Sequence, residues 1–322
     1  MRYKFYIAFV FIFLTFIGCN DNFDPNGEFR EIYALSGILR GDSLNQTITL
    51  SHVYQVDGFD PYANKVDPAV LGADVRVWIG DSVYIFRDTS VARTDSSRYT
   101  TPFHYYYNNK FAIPLNKTIE VEVLFQNGKR IKALTKSPSA IRFDKASNTI
   151  IPPDGSDLIT FIWNEQNEPL FFVPQLAIKY IQNVNGTFIV KYKRVPIKYV
   201  EQNGNLVPIY PKPSGLVTAI YQKDALDRAM EEISAGDPIK SNYSIVQKQV
   251  LTVTAFDLNL TRYVSSTDQS FDDLTVTVNE SEFTNVEGGL GIFGTYIRNE
   301  YNKVELSQSY VESFGYNYRV GE

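Results

Sequence analysis

The chain has 322 residues, a formal net charge of −5 and one cysteine, Cys19. A single thiol excludes an internal disulfide and any cysteine-built metal site, and an acidic balance without a basic cluster argues against nucleic acid as a partner. The length suggests about two domains, and 22 Tyr and 22 Phe among abundant Val, Ile and Thr favour strands over helices.

The N-terminus has the pattern of a targeting segment. Arg2 and Lys4 precede an apolar run over residues 5–17, interrupted only by Thr15. As a helix this run covers roughly 20 Å, short of the ~30 Å hydrocarbon core, so it is expected to be a signal-peptide core and not a spanning helix. Ile17-Gly18-Cys19 follows and resembles the lipobox of bacterial lipoproteins. That resemblance implies a diacylglyceryl group on the Cys19 thiol and cleavage after Gly18. Acyl chains there would hold the protein at a bilayer surface. Residues 1–18 are then the lipoprotein signal peptide, and 19–31 a polar tether containing Pro25 and Gly27. Loss of Arg2 and Lys4 takes the mature charge to −7.

Period-2 alternation dominates the rest. In chain order, strands are expected near 33–39, 46–54, 74–79, 82–87, 110–114, 118–126 and 129–135. Gly80-Asp81 and Asn127-Gly128 mark hairpin turns, the latter as type I′. Seven short strands in about a hundred residues predict an immunoglobulin-like β-sandwich over 32–138. Lys136-Ser-Pro-Ser139 is the expected boundary. A second β-rich domain over 139–322 opens with residues 157–163, where Trp163 is a core candidate. Asn185-Gly186 and Asn203-Gly204 signal two further hairpins, and the strands around Pro196 and Pro208 belong at an edge. Ala225, Leu226, Ala229, Met230 and Ile233 follow helical spacing, with Asp224 as the expected cap and Gly236 beyond the end. Strands resume near 245–257, 274–280, 290–297, 303–308 and 314–320. The fold class expected is all-β, with one or two short helices in the second domain.

Gly289-Leu290-Gly291-Ile292-Phe293-Gly294 matches GxGxxG. A dinucleotide site needs a strand before it and a helix after it. Here an alternating, strand-like run follows, so the glycines are expected to serve backbone geometry at a strand crossing, with Leu290, Ile292 and Phe293 filling the core. His52 and His104 lie in strand-like runs without a GxSxG or HExxH context. Asp268, Asp272 and Asp273 lack the spacing of a calcium loop. No catalytic residue, cofactor or metal is expected. The segment around Tyr105, Tyr106 and Tyr107 is the candidate binding surface, since exposed Tyr offers a large contact area and stacks on sugars. Alternation places Tyr105 and Tyr107 on one face and Tyr106 on the other. Asp42-Ser43-Leu44 and Asp81-Ser82-Val83 resemble the O-glycosylation acceptor of Bacteroidota.

The order of features resembles the Bacteroidota lipoprotein family called domain of unknown function 4249. The carrying residues are the Cys19 lipobox, Leu35-Ser-Gly-Ile-Leu39, Ile48-Thr-Leu-Ser51, residues 68–77 and, most specifically, Asn285-Val-Glu-Gly-Gly-Leu-Gly-Ile-Phe-Gly294. The resemblance implies a cell-envelope lipoprotein at the outer membrane, associated with a TonB-dependent receptor, with Cys19 its only transferable site. The function expected is non-catalytic binding of a partner, or of a glycan or peptide handled by that receptor. The alternatives are an adhesin or structural envelope protein, and a hydrolase with a loop-built site.

Overall fold

The computed structural model describes residues 31–53, 60, 64–164, 167–267 and 283–321. The signal peptide, Cys19, the tether through residue 30, the acidic run at 268–273 and the strand expected at 274–280 lie outside them. Among the described residues, no helix is long and apolar enough to cross a membrane.

The molecule is all-β with two hydrophobic cores. The first is built by β1 (Tyr33–Arg40), β2 (Gln46–His52), β3 (Asp74–Ile79), β4 (Ser82–Val91), β5 (Phe103–Asn108), β6 (Thr118–Leu124) and β7 (Arg130–Lys136). Neighbours run β1-β2-β5-β4 and then β3-β6-β7, the arrangement of an immunoglobulin sandwich. Strict alternation builds it. Leu35 and Leu39, Ile48 and Leu50, Val75 and Val77, and Ile119, Val121 and Val123 all point inward and are buried. β4 joins the two sheets, because residues 82–86 register on β3 and residues 87–91 on β5.

Two local expectations are corrected here. The strand after residue 100 is β5 at Phe103–Asn108, not 110–114. Phe111 is instead a fully buried plug, with its ring 4.5 Å from that of Tyr84 and 6.0 Å from that of Phe86. The Asn127-Gly128 turn is not type I′, because only Gly128 has positive φ. Asn127 is held by its own side chain, which donates to Tyr33 Oη at 2.8 Å and accepts from the Lys129 N–H at 3.0 Å. Asn185-Gly186 and Asn203-Gly204 do have positive φ at both positions, as type I′ requires.

The second core is built by β8 (Ile150–Ile151), β9 (Leu158–Ile162), β10 (Phe172–Val184), β14 (Thr218–Gln222), β15 (Tyr243–Val246) and β16 (Lys248–Phe256), while β11 (Thr187–Arg194), β12 (Lys198–Gln202) and β13 (Asn205–Ile209) lie outside it. Trp163 is buried there, as are Phe161, Phe172 and Tyr221. β12 and β13 form a separate two-stranded sheet that carries Pro208. Helix α1 (Lys223–Glu231) buries Ala225, Leu226, Ala229 and Met230. Asp224 does not cap it; Gln222 occupies the cap position, and Asp224 lies in the first turn, where a carboxylate favours the helix dipole. Helix α2 spans Leu258–Thr267.

The C-terminal part ties the two cores together. β17 (Val286–Glu287) pairs with β7, and β18 (Leu290–Leu306) runs parallel to β1 over its first seven residues and antiparallel to β16 after that. The two strands expected at 290–297 and 303–308 are thus one strand of 17 residues. The first core therefore takes Val286 and Phe293 from sequence far beyond residue 138. A short helix, α3 (Gln308–Ser313), follows, and the last expected strand is present in shortened form as β19 (Asn317–Arg319).

Candidate functional site

The glycine-rich segment has a structural role. Gly288 and Gly291 have φ of +77° and +111°, and a Cβ on Gly291 would overlap the Leu35 carbonyl. A Cβ on Gly289 would lie 2.6 Å from the Tyr33 carbonyl oxygen. The segment crosses from β7 to β1 at van der Waals distance from both, which only glycine allows. Phe293 and Ile292 are buried as expected, whereas Leu290 is 43% exposed and plugs nothing. Gly294 leads into more of β18 and not into a helix, so the geometry that seats a pyrophosphate is missing.

Each histidine lies beside one carboxylate. His52 Nδ1 lies 3.4 Å from Glu31, and His104 Nδ1 lies 3.5 Å from Asp88. No group of three or more His, Cys, Asp or Glu able to hold a metal occurs among the described residues. Ser43 is half-buried in the β1–β2 turn, where its Oγ accepts from the Asn45 N–H at 3.0 Å; Ser82 is exposed at the β3–β4 hairpin.

The three tyrosines divide as β alternation requires. Tyr106 is only 1% exposed. Its Oη donates to the Val70 carbonyl at 2.9 Å and accepts from the Ala73 N–H at 3.0 Å. Burial pushes its pKa up, and the Ala73 bond offsets part of that. Tyr106 is therefore a core residue and drops out of the candidate surface. Tyr105 and Tyr107 face outward with Phe103. Ring centroids are 6.0 Å apart between Phe103 and Tyr105, and 6.4 Å apart between Tyr105 and Tyr107. The guanidinium of Arg93 extends the ladder at 5.4 Å from the Phe103 ring and 5.3 Å from that of Tyr99. Arg93 is also paired with Asp67 at 2.6 Å. Burial pushes the Asp67 carboxyl up, but bonds from Thr101, the Ala69 N–H and Arg93 outweigh it and leave its pKa below the ordinary value.

At the Tyr107 end the ladder meets a groove of about 500 Å³, lined by Val83, Tyr84, Ile85 and Arg87 on one side and by residues 107–110 on the other. The switch of β4 between sheets opens it, since residues 82–86 leave β5 to pair with β3. Asn108 spans the gap, its Nδ2 donating to the Ile85 carbonyl at 3.0 Å. Behind the groove sits a residue that sequence reasoning missed. Gln46 is fully buried and hydrogen-bonds Arg40 N–H, Arg40 C=O, Ser43 C=O and Phe111 C=O at 2.7, 2.8, 2.6 and 3.2 Å. It fixes the backbone beside Lys110. Its only signal in the sequence was a polar residue at an inward position of an alternating strand.

No protein-family model matches this chain, and no curated protein does.

Proposed function

We propose that this protein is a lipid-anchored, non-catalytic binding protein of the bacterial outer membrane. It would belong with the domain of unknown function 4249 lipoproteins and serve as accessory to a TonB-dependent receptor. The observation that carries the binding reading is the outward-facing ladder of exposed Phe103 and half-buried Tyr105 and Tyr107 beside an open groove. Aromatic rings held on a rigid sheet give large contact area at low entropy cost. The anchor reading rests on the Cys19 lipobox. The groove lies at the Arg40 end of β1, about 25 Å of strand from Tyr33 at roughly 3.3 Å per residue. A tether joining at residue 31 would then enter the domain at the end opposite the groove.

Recovery of partners from intact envelope tests the binding role. Tyr107→Ala should lose a partner that the parent chain retains, while melting like the parent. Retention of every partner would sink the reading. For the anchor, Cys19→Ser should abolish palmitate labelling and membrane association; a mutant that still labels is not acylated at Cys19.

An adhesin is the second reading, favoured by the β10–β11 hairpin. Among the described residues β11 pairs only with β10, and it exposes Phe188, Val190 and Tyr192 on one face. Adherence to matrix material without any receptor, lost on substitution of these three residues, would support it.

A further inference from the structure

The geometry points to a carboxylate-bearing saccharide, such as a uronate oligomer, as the ligand of the groove beside Tyr107. This rests on the binding role proposed above and adds the chemical class.

Two cations set the sign of the ligand. Arg87 and Lys110 both line the groove and are exposed, and neither has a carboxylate within ion-pair distance among the described residues. Five other cations of the same sandwich are committed, Arg40 to Asp42, Arg76 to Asp74, Arg93 to Asp67, Lys129 to Glu31 and Arg130 to Glu122. On a chain with net negative charge, two adjacent uncommitted cations create a local field that attracts an anion. Arg87 is the cross-strand neighbour of Tyr107, so charge and ring share one face.

The rest of the lining favours a sugar over an extended peptide. Tyr107 and Asn109 both line the groove, an aromatic ring suited to the C–H face of a pyranose and an amide suited to its hydroxyls. A peptide would bind by adding a strand to the free edge of β4 at residues 82–86. Strand addition there would have to displace the Asn108 side chain, which already takes the Ile85 carbonyl. A volume of about 500 Å³ suits a short oligomer.

Calorimetric titration of the full chain with tetragalacturonate, with a neutral glucose tetrasaccharide and with polyglutamate tests the assignment. Tetragalacturonate should bind, more weakly at high salt, and the neutral sugar should not. Arg87→Gln and Lys110→Gln should each weaken binding about tenfold or more, as expected for losing a charged hydrogen bond, and both should melt like the parent. The assignment is overturned if tetragalacturonate does not bind, if the double variant binds it unchanged, or if polyglutamate binds more tightly. It is also overturned, with the ladder reading left standing, if Tyr107→Ala loses its envelope partner while no uronate binds the parent.

Discussion

Four residues of or beside the first core test the account of it: Tyr106, Tyr107, Gln46 and Gly291. Tyr106 and Tyr107 are sequence neighbours with opposite fates. Tyr106→Ala empties a core position and strands the Val70 carbonyl and the Ala73 N–H, so it should cost roughly 3–5 kcal/mol, the range for buried aromatics. Tyr107→Ala should stay within about 0.5 kcal/mol of the parent, as surface changes do. A pair of denaturant melts checks both. Gln46→Leu keeps the volume but leaves buried backbone groups of Arg40, Ser43 and Phe111 unpaired. Each such group costs about 1–3 kcal/mol, so this substitution should destabilise more than any exposed change in β2. Gly291→Ala forces a Cβ into the Leu35 carbonyl at positive φ, and at least about 1–3 kcal/mol should be lost. Because the segment is a strand crossing, NAD or ATP should leave the melting temperature unchanged; a rise with either nucleotide would contradict the backbone role.

Among the elements, β4 and β18 do the joining. β4 pairs with β3 and then β5, and the groove exists where it changes partner. β18 pairs with β1 and then β16, so one strand serves both cores. The start of α2 reinforces that joint. Asp257 is fully buried; its carboxylate accepts from the Leu260 N–H at 2.7 Å, from Thr135 Oγ1 of β7 and from the Thr295 N–H of β18. One helix cap therefore ties both domains. β11 is paired along one side only among the described residues. Phe188 and Tyr192 there are 68% and 63% exposed, and such an edge is a template for association. Phe188→Lys with Tyr192→Lys should leave the melt nearly unchanged and reduce concentration-dependent sedimentation; an unchanged sedimentation profile would mean the edge is not sticky.

At the scale of the whole molecule, charge sets the response to pH. Asp42, Asp67 and Glu232 are each pushed up by burial but held below their ordinary values by hydrogen bonds and nearby cations. A folded pKa below the unfolded one gives stability that is present above the unfolded value, about pH 4, and lost as pH falls through the folded value. Asp257 has the opposite sign. Burial raises its pKa despite its three donors, so its contribution is greatest below the unfolded value and declines as pH rises through the raised one. Melts between pH 3 and 7, roughly the window of these groups, should therefore show stability falling on the acid side. Asp67→Asn should flatten that fall, and an unaltered slope would show that Asp67 does not carry it.

The sequence by itself determined the strands and their faces. Alternation in β1, β3, β6 and β7 specifies which side chains go inward, because a pleated strand has only two faces. The same rule separated Tyr106 from Tyr105 and Tyr107, and glycine chemistry showed that the GxGxxG segment had no helix to serve. Tertiary structure decided which strands meet. β17 lies 153 residues from its partner in β7 and the start of β18 lies 256 residues from its partner in β1 (Val286 on Ala133, Leu290 on Ala34), and no local pattern records a pairing across such distances. β18 was hidden as a single strand because its middle, residues 298–303, is mostly polar and breaks the apolar rhythm. Phe111 looked like a strand residue because it is apolar, yet its burial comes from Tyr84, Phe86 and the Gln46 amide, none of them near in sequence. The groove was illegible for the same reason: Arg87 and Lys110 become neighbours only where β4 changes sheet, which is a property of the packed sandwich and not of either segment.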